Sequence, residues 1–195
     1  MSNKFRTIGL AAILVTLAQS VSAEQFVIKL EQSLESGDIA LRENLKITEI
    51  ERFESDGVSF LILDAENEAY LEAYLLARRV TPLSISEVSF INSPVVGGGE
   101  TAPLVGSDDL QTYVIERPIP GVGSFPLAKK EGISRASNAA IAQLDGRVEW
   151  AHSYLTDIGT FCVYRASDDA EIAEHAELAG APLGPITAVE QIISK

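Results

Sequence analysis

Residues 55–88 can be laid on residues 156–189 at a constant shift of 101 without a gap. The overlay pairs Asp56 with Asp157, Phe60 with Phe161, Ala65 with Ala166, Ala69 with Ala170, Ile85 with Ile186 and Val88 with Val189. Six identities are few, but the order of patterns around them is shared: acidic turn, apolar strand, Ala-rich helix, short apolar strand. Upstream, Gln25-Phe26-Val27-Ile28-Lys29 and Thr112-Tyr113-Val114-Ile115-Glu116 each open a half with a short apolar run. A chain that repeats itself this way must pack its copies together, because neither copy can cover its apolar surface alone.

The second half gives the clearer unit. Thr112–Arg117 predicts a strand, and Pro118, Pro120, Gly121 and Gly123 predict a loop after it. Ile133, Ala136, Ala140, Ile141 and Leu144 recur at helical spacing, with Gly146 as a stop. Val148–Tyr164 predicts two strands around a turn at Asp157-Ile158-Gly159. Ser167-Asp168-Asp169 then caps a helix that runs through Ala179 and ends at Gly180, and Ile186–Ile193 supplies a last strand. Strand, helix, strand, strand, helix, strand is the split βαβ, ferredoxin-like order.

The first half predicts the same order: strand Phe26–Leu30, a Gly37-interrupted helix Leu34–Glu43, strands Leu45–Arg52 and Ser59–Leu63, helix Asn67–Arg79 and strand Ile85–Phe90. Between the halves, SPVVGGGETAPLVGSDD lacks any apolar period and carries Gly97, Gly98 and Gly99, which is linker chemistry. The expected organisation is a signal peptide at 1–23, a degenerate ferredoxin-like repeat at 24–92, a linker at 93–109 and a second repeat at 110–195. The expected fold class is α+β: tandem ferredoxin-like repeats whose antiparallel sheets pack as an internal pseudo-dimer, in the manner of a dimeric α/β barrel.

Lys4 and Arg6 followed by the apolar run Ile8–Ala18 and the small-residue site Val21-Ser22-Ala23 predict export, with cleavage before Glu24 and a periplasmic mature chain. The whole chain carries a formal charge of -13, and cleavage would remove two cations and no anions. Such acidity excludes nucleic acid and anionic membranes as partners, because both demand cationic patches.

The Val148–Tyr164 hairpin holds the only Trp (Trp150), the only Cys (Cys162), His152, Tyr154 and Tyr164. A lone Cys gives no intramolecular disulfide, so Cys162 is a buried small residue, a metal ligand or half of an intermolecular bridge. If the turn sets Tyr154 opposite Cys162, strand alternation puts all five side chains on one face, towards a cavity between the two sheets. Imidazole and thiolate select late first-row metals. One His and one Cys leave such a site incomplete; Glu116 and His175 are the candidates to complete it, although His175 also suits the border of its helix. Trp150, Tyr154 and Tyr164 are the expected ligand- or cofactor-contacting residues.

Several blocks here resemble a known family: Tyr113-Val114-Ile115-Glu116-Arg117, Val148-x-Trp150-x-His152-Ser153-Tyr154, Thr160-Phe161-Cys162-Val163-Tyr164 and Glu174-His175-Ala176 with Ala179-Gly180-x-Pro182. They are similar to the small ferredoxin-like, nickel-responsive SCO-type proteins long filed as a domain of unknown function. The resemblance covers about Gln111–Ile192. It implies nickel binding in the second repeat, and single-copy members that pair as dimers, with the first half here standing in for the partner. At the shift of 101, however, His152 corresponds to Glu51, Tyr154 to Phe53, Cys162 to Leu61 and His175 to Tyr74, so two equivalent centres are not expected.

The alternative is a cofactor-independent oxygenase or isomerase, or a ligand-binding protein, using the cavity between the sheets. His152 would be its base and Tyr154 or Tyr164 its hydrogen-bond donor. A Cys162–His152 nucleophile lacks a helix N-terminus or cation to lower the thiol pKa. Binding rather than catalysis is therefore expected, of nickel or another late first-row divalent metal or of a small ligand, with room for further homo-oligomers.

Overall fold

The computed structural model describes residues 23–31, 47–100 and 110–192. Residues 1–22 of the signal peptide expected at 1–23, the helix expected at Leu34–Glu43 and residues 101–109 of the expected linker lie outside the described residues. Nine strands and three α-helices are described: β1 Glu24–Leu30, β2 Thr48–Glu54, β3 Ser59–Ala65, α1 Glu68–Ala77, β4 Pro82–Glu87, β5 Phe90–Asn92, β6 Gln111–Arg117, α2 Leu127–Ile141, β7 Val148–Leu155, β8 Thr160–Ala166, α3 Asp169–Ala179 and β9 Ile186–Ile192. Among the described residues no helix is long and apolar enough to cross a membrane.

All nine strands belong to one antiparallel sheet of order β4-β1-β3-β2-β9-β6-β8-β7-β5. Each half thus contributes its fourth, first, third and second main strands in that order. One seam between them is β2 on β9, through Arg52–Ile192, Phe53–Gln191 and Glu54–Glu190. The other is β5 on β7, through Phe90–Leu155, Ile91–Tyr154 and Asn92–Ser153. Only Val88 and Ser89 separate β4 from β5. The Val88 amide donates to Gln25 O of the first half (2.8 Å) and the Ser89 amide to Leu155 O of the second (2.9 Å). The two ends of the strand order therefore meet, and the sheet closes on itself with no free edge at this point.

Closure explains the composition of the strands. SFLILDA in β3 and TFCVY in β8 are buried on both faces, and strands covered on both sides read as continuous apolar runs. The inner face gathers Val27, Phe53, Phe60, Ile62, Val114, Tyr154, Phe161, Val163 and Val189 from both halves. This fills the space between the sheets, where a cavity was expected. Outside, Phe26, Ile28, Leu61 and Leu63 pack with Leu71, Tyr74 and Leu75 of α1. In the second half, Tyr113, Ile115, Trp150, Cys162 and Tyr164 pack with Leu144 and Ile172. Each fully buried large side chain contributes roughly 1.5–3 kcal/mol.

The caps follow local chemistry. Asn67 accepts from the Tyr70 amide to open α1, and Asp168 accepts from the Glu171 amide to open α3. Gly180, at φ 63°, closes α3 in the left-handed conformation that a Cβ disfavours. Helix α2 begins six residues before the expected Ile133, because its first turns, Leu127-Ala128-Lys129-Lys130-Glu131-Gly132, carry no apolar period.

The Gly-rich segment departs from linker behaviour in its first residues. Pro94–Gly97 forms a 3-10 turn against α2. Ser134 Oγ donates to Ser93 O (2.6 Å) and Asn138 Nδ2 to Pro94 O (2.9 Å). A Cβ on Gly97 would stand 2.6 Å from Arg135 N. Gly97 is there for close approach of two backbones, not for flexibility.

Candidate functional site

The hairpin's register separates the side chains that were expected to share a face. Trp150 pairs with Tyr164 and His152 with Val163, with an irregularity between them; Ser153 then opposes Cys162, and Tyr154 opposes Phe161. Ala151 is the extra residue of a β-bulge, and one inserted residue exchanges the faces of everything beyond it. Trp150, Cys162 and Tyr164 consequently lie on the helix side, whereas Tyr154 and Ala151 pack on the inner side. Tyr154 opposite Cys162, and with it the single five-residue face, is corrected.

On the inner side, Tyr154 Oη donates to Glu51 Oε2 at 2.7 Å, and His152 Nε2 lies 2.9 Å from the same oxygen. The His152 and Tyr154 rings meet edge-on at 5.0 Å. Burial acts to raise the pKa of Glu51, but His152 and Tyr154 outweigh it and hold the carboxyl below its ordinary value. Burial, then the Glu51 charge, pushes the Tyr154 phenol far up. Glu116 lies elsewhere, ion-paired to Lys29 Nζ at 2.7 Å.

On the helix side, α2, α3 and the second half's strands enclose a cavity of about 420 Å³. Cys162, Tyr164 and His175 line it together with Arg117, Ser137 and Thr160. Ser137 Oγ lies 3.0 Å from Tyr164 Oη and 3.1 Å from His175 Nε2. Cys162 Sγ is 3.0 Å from Thr160 Oγ1. Trp150 stacks behind Tyr164, with centroids 6.0 Å apart and planes 12° apart. Burial, reinforced by the positive charge of Arg117, lowers His175 to about 4, so its ring is neutral at pH 7. Burial, then Cys162, raises Tyr164 well above an ordinary phenol. Five buried side-chain polar atoms have no hydrogen-bond partner among the described residues; Ser59 Oγ, Tyr74 Oη and Ser86 Oγ lie in the first half, and His175 Nδ1 and Arg117 Nη2 belong to residues that line this cavity.

The four expected metal ligands are therefore spread over three places. His152 meets Glu51, Glu116 meets Lys29, and Cys162 and His175 line the helix-side cavity. A late first-row metal needs several N, O or S donors converging on one point. Among the described residues no three His, Cys, Asp or Glu side chains are grouped to hold a metal ion. Of the expected ligand-contacting aromatics, Tyr164 lines the cavity, Trp150 backs it, and Tyr154 belongs to the inner side.

Arg117 and Ser137 escaped the sequence reading, yet both carried a signal. Alternation puts Arg117 on the face of Tyr113 and Ile115, which is the buried helix side. Ser137 falls on the helical stripe of Ile133, Ala136 and Ala140. In the first half, Leu61, Leu63 and Tyr74 stand where Cys162, Tyr164 and His175 stand in the second, and they are closed core.

The fold and site define an α+β protein built on a large antiparallel sheet, similar to the chlorite dismutase-like, ferredoxin-like fold. The chlorite dismutase of Candidatus Nitrospira defluvii in complex with imidazole superposes with a TM-score of 0.50 at 9% identity, covering 80% of this chain and 82% of that one. A point mutant of the same enzyme gives 0.49 at 9% identity over 88% and 91%. An anthrone oxidase-like protein gives 0.42 at 10% identity over 87% and 92%. Residues 113–189, the second half, match the model of the family described as nickel responsive protein SCO4226-like. No curated protein matches the chain.

Proposed function

We propose that the second half is a small-molecule-binding unit whose site is the cavity between its helices and its sheet. The observation that carries this is the pair of unpartnered buried groups, Arg117 Nη2 and His175 Nδ1, on residues that line the cavity. Buried polar groups are almost always satisfied, and leaving one bare is costly. A concave, mostly apolar space with a few polar groups has the usual character of a ligand site. Hydrogen bonding along Tyr164, Ser137 and His175 holds the imidazole in place, and its neutral state suits binding or hydrogen-bond donation.

The first half acts as the partner of a pseudo-dimer made by internal duplication. Supporting this, residues at equivalent positions touch: Phe60 meets Phe161 at 6.2 Å, and Lys29 meets Glu116. Export and a periplasmic location belong to the same proposal; N-terminal sequencing of protein from a periplasmic fraction, beginning at Glu24, checks it.

The site is tested with benzyl alcohol and benzamide as neutral probes, followed by Trp150 fluorescence and calorimetry. Saturable binding that Ala136→Trp abolishes supports the proposal; wild-type protein that binds neither of these probes nor any acid of matching body overturns it.

Nickel, named in the matched family's description, is the second possibility. The Glu51–His152 contact favours it, as a nitrogen and an oxygen donor in touch across the halves. Tyr154 already shares that carboxylate oxygen, and among the described residues no third ligand completes the set. Titration of dialysed protein with Ni²⁺, Cu²⁺, Zn²⁺ and Co²⁺ decides: saturable uptake lost in His152→Ala supports it, and flat titrations sink it.

A further inference from the structure

The helix-side cavity has an electrostatic character opposite to that of the chain around it. The chain holds 28 acidic and 15 basic residues. The cavity lining holds Arg117 and Lys129 and not one Asp or Glu. Arg117 is only 5% exposed. Its Nη1 donates to Pro182 O at 2.8 Å, which anchors the guanidinium close to the Tyr164 phenol, while Nη2 has no hydrogen-bond partner among the described residues. Among the described residues Arg117 forms no ion pair, and Glu116 beside it in sequence is engaged with Lys29. A guanidinium remains protonated at every accessible pH. Buried cations are normally paired, and one left without a counter-charge is strongly disfavoured.

The His175 side of the cavity is consistent with the same occupant. If Tyr164 Oη donates to Ser137 Oγ and Ser137 Oγ donates to His175 Nε2, the neutral ring carries its proton on Nδ1. That proton then has no acceptor among the described residues. A guanidinium fork and an imidazole N–H are two donors, and a carboxylate is a two-oxygen acceptor of matching charge. Ile119, Val122, Ile133, Ala136 and Leu155 give the cavity apolar walls, with Asn92, Ser153 and Thr160 as further neutral polar residues of the lining.

We propose that the cavity binds a small monocarboxylate with an apolar, ring-sized body, its carboxylate held by Arg117 Nη2 and His175 Nδ1–H. This rests on the small-molecule site proposed above and names the ligand class. No Asp or Glu of the cavity competes for the two donors, and charge-assisted bonds to a carboxylate are stronger than neutral ones.

The test compares isosteric acids and amides on the full chain: benzoate against benzamide, and hexanoate against hexanamide, by calorimetry and Trp150 fluorescence. Wild-type protein is expected to bind each acid at least about tenfold more tightly than its amide. Arg117→Met is expected to erase that preference, and Arg117→Lys to retain part of it. Circular dichroism establishes that each variant folds; should Arg117→Met not fold, the acid-to-amide ratio of the wild type and of Arg117→Lys decides. Equal affinity for acid and amide, or a preference that survives in folded Arg117→Met, overturns the carboxylate assignment while leaving the site intact. Failure of all four probes to bind wild type overturns both.

Discussion

Glu51 and His152 occupy the same place in the two halves, 101 positions apart, and their side chains meet at 2.9 Å. Each follows a bulge of identical register. Glu49 pairs with Leu63 and Glu51 with Ile62 in the first half, as Trp150 pairs with Tyr164 and His152 with Val163 in the second. A residue can touch its own equivalent only near an axis relating the two copies. Bulges, being built features rather than defects, mark the same point twice. On the duplication proposed above, an acid on one side and a base on the other make this self-contact an attractive pair.

Glu51→Gln is therefore expected to destabilise the protein by about 1–3 kcal/mol, the range for a buried bond to a charged partner. Tyr154→Phe should cost less, about 1 kcal/mol. A double-mutant cycle of Glu51→Gln with His152→Ala, read by urea denaturation, should show coupling of at least about 0.5 kcal/mol. Additive losses would remove the pair from the forces joining the halves.

Acid should weaken the fold in two windows. His175 titrates near 4 in the folded chain against an ordinary 6.5. Between those values the unfolded chain binds a proton that the folded chain refuses. Stability is thus full above 6.5 and falls by up to about 3 kcal/mol as pH drops towards 4. Glu51, held below its ordinary 4.5, adds stability that is present above 4.5 and lost as pH falls through its lower folded value. Denaturant midpoints across pH 3–8 should show both, and His175→Gln should flatten the upper window alone.

Phe60 and Phe161 form an edge-to-face pair at the centre of the inner core, at 6.2 Å and 61°. Truncating either to Ala should cost about 3–5 kcal/mol, because the cavity left behind lies between two sheets that cannot collapse onto it. The double variant should lose less than the sum of the two, since the second truncation enlarges a cavity already made.

Gly97→Ala is expected to destabilise by about 1–3 kcal/mol, because its Cβ would press on the backbone of α2 at Arg135 and Ser134. Hydrogen exchange should rise at 93–100 while the β7–β8 hairpin stays protected. Gly57→Ala, with nothing within 4 Å of its Cβ, is the neutral control.

Much of the architecture could be read from local patterns because its causes are local. Asp168 and Gly180 bound α3 through their own side-chain and backbone chemistry. Asp157-Ile158-Gly159 lies in the turn of the predicted hairpin, with the Thr156 amide donating to Gly159 O. Helix α2 was located by its apolar stripe and missed only where Lys129, Lys130 and Glu131 hide it.

The candidate site was legible only in its residue types. Trp150, Tyr164, Cys162 and His175 do gather around one cavity, but it lies on the opposite side of the sheet from the one that alternation suggested. A single bulged residue, Ala151, decides this, and its composition does not distinguish it from a regular strand residue. Gly97 likewise reads as linker until α2 is packed against it.

The sequence by itself determined most of the described strands and helices and their order, since these follow from caps, turns and periodicity along a few neighbouring residues. The tertiary structure alone decided which face His152 takes, that Glu51 receives it, and that Arg117 is left inside without a counter-charge. Those outcomes depend on register and on groups brought from far along the chain. A shift of one residue in pairing reverses a side chain's surroundings without changing any local signal.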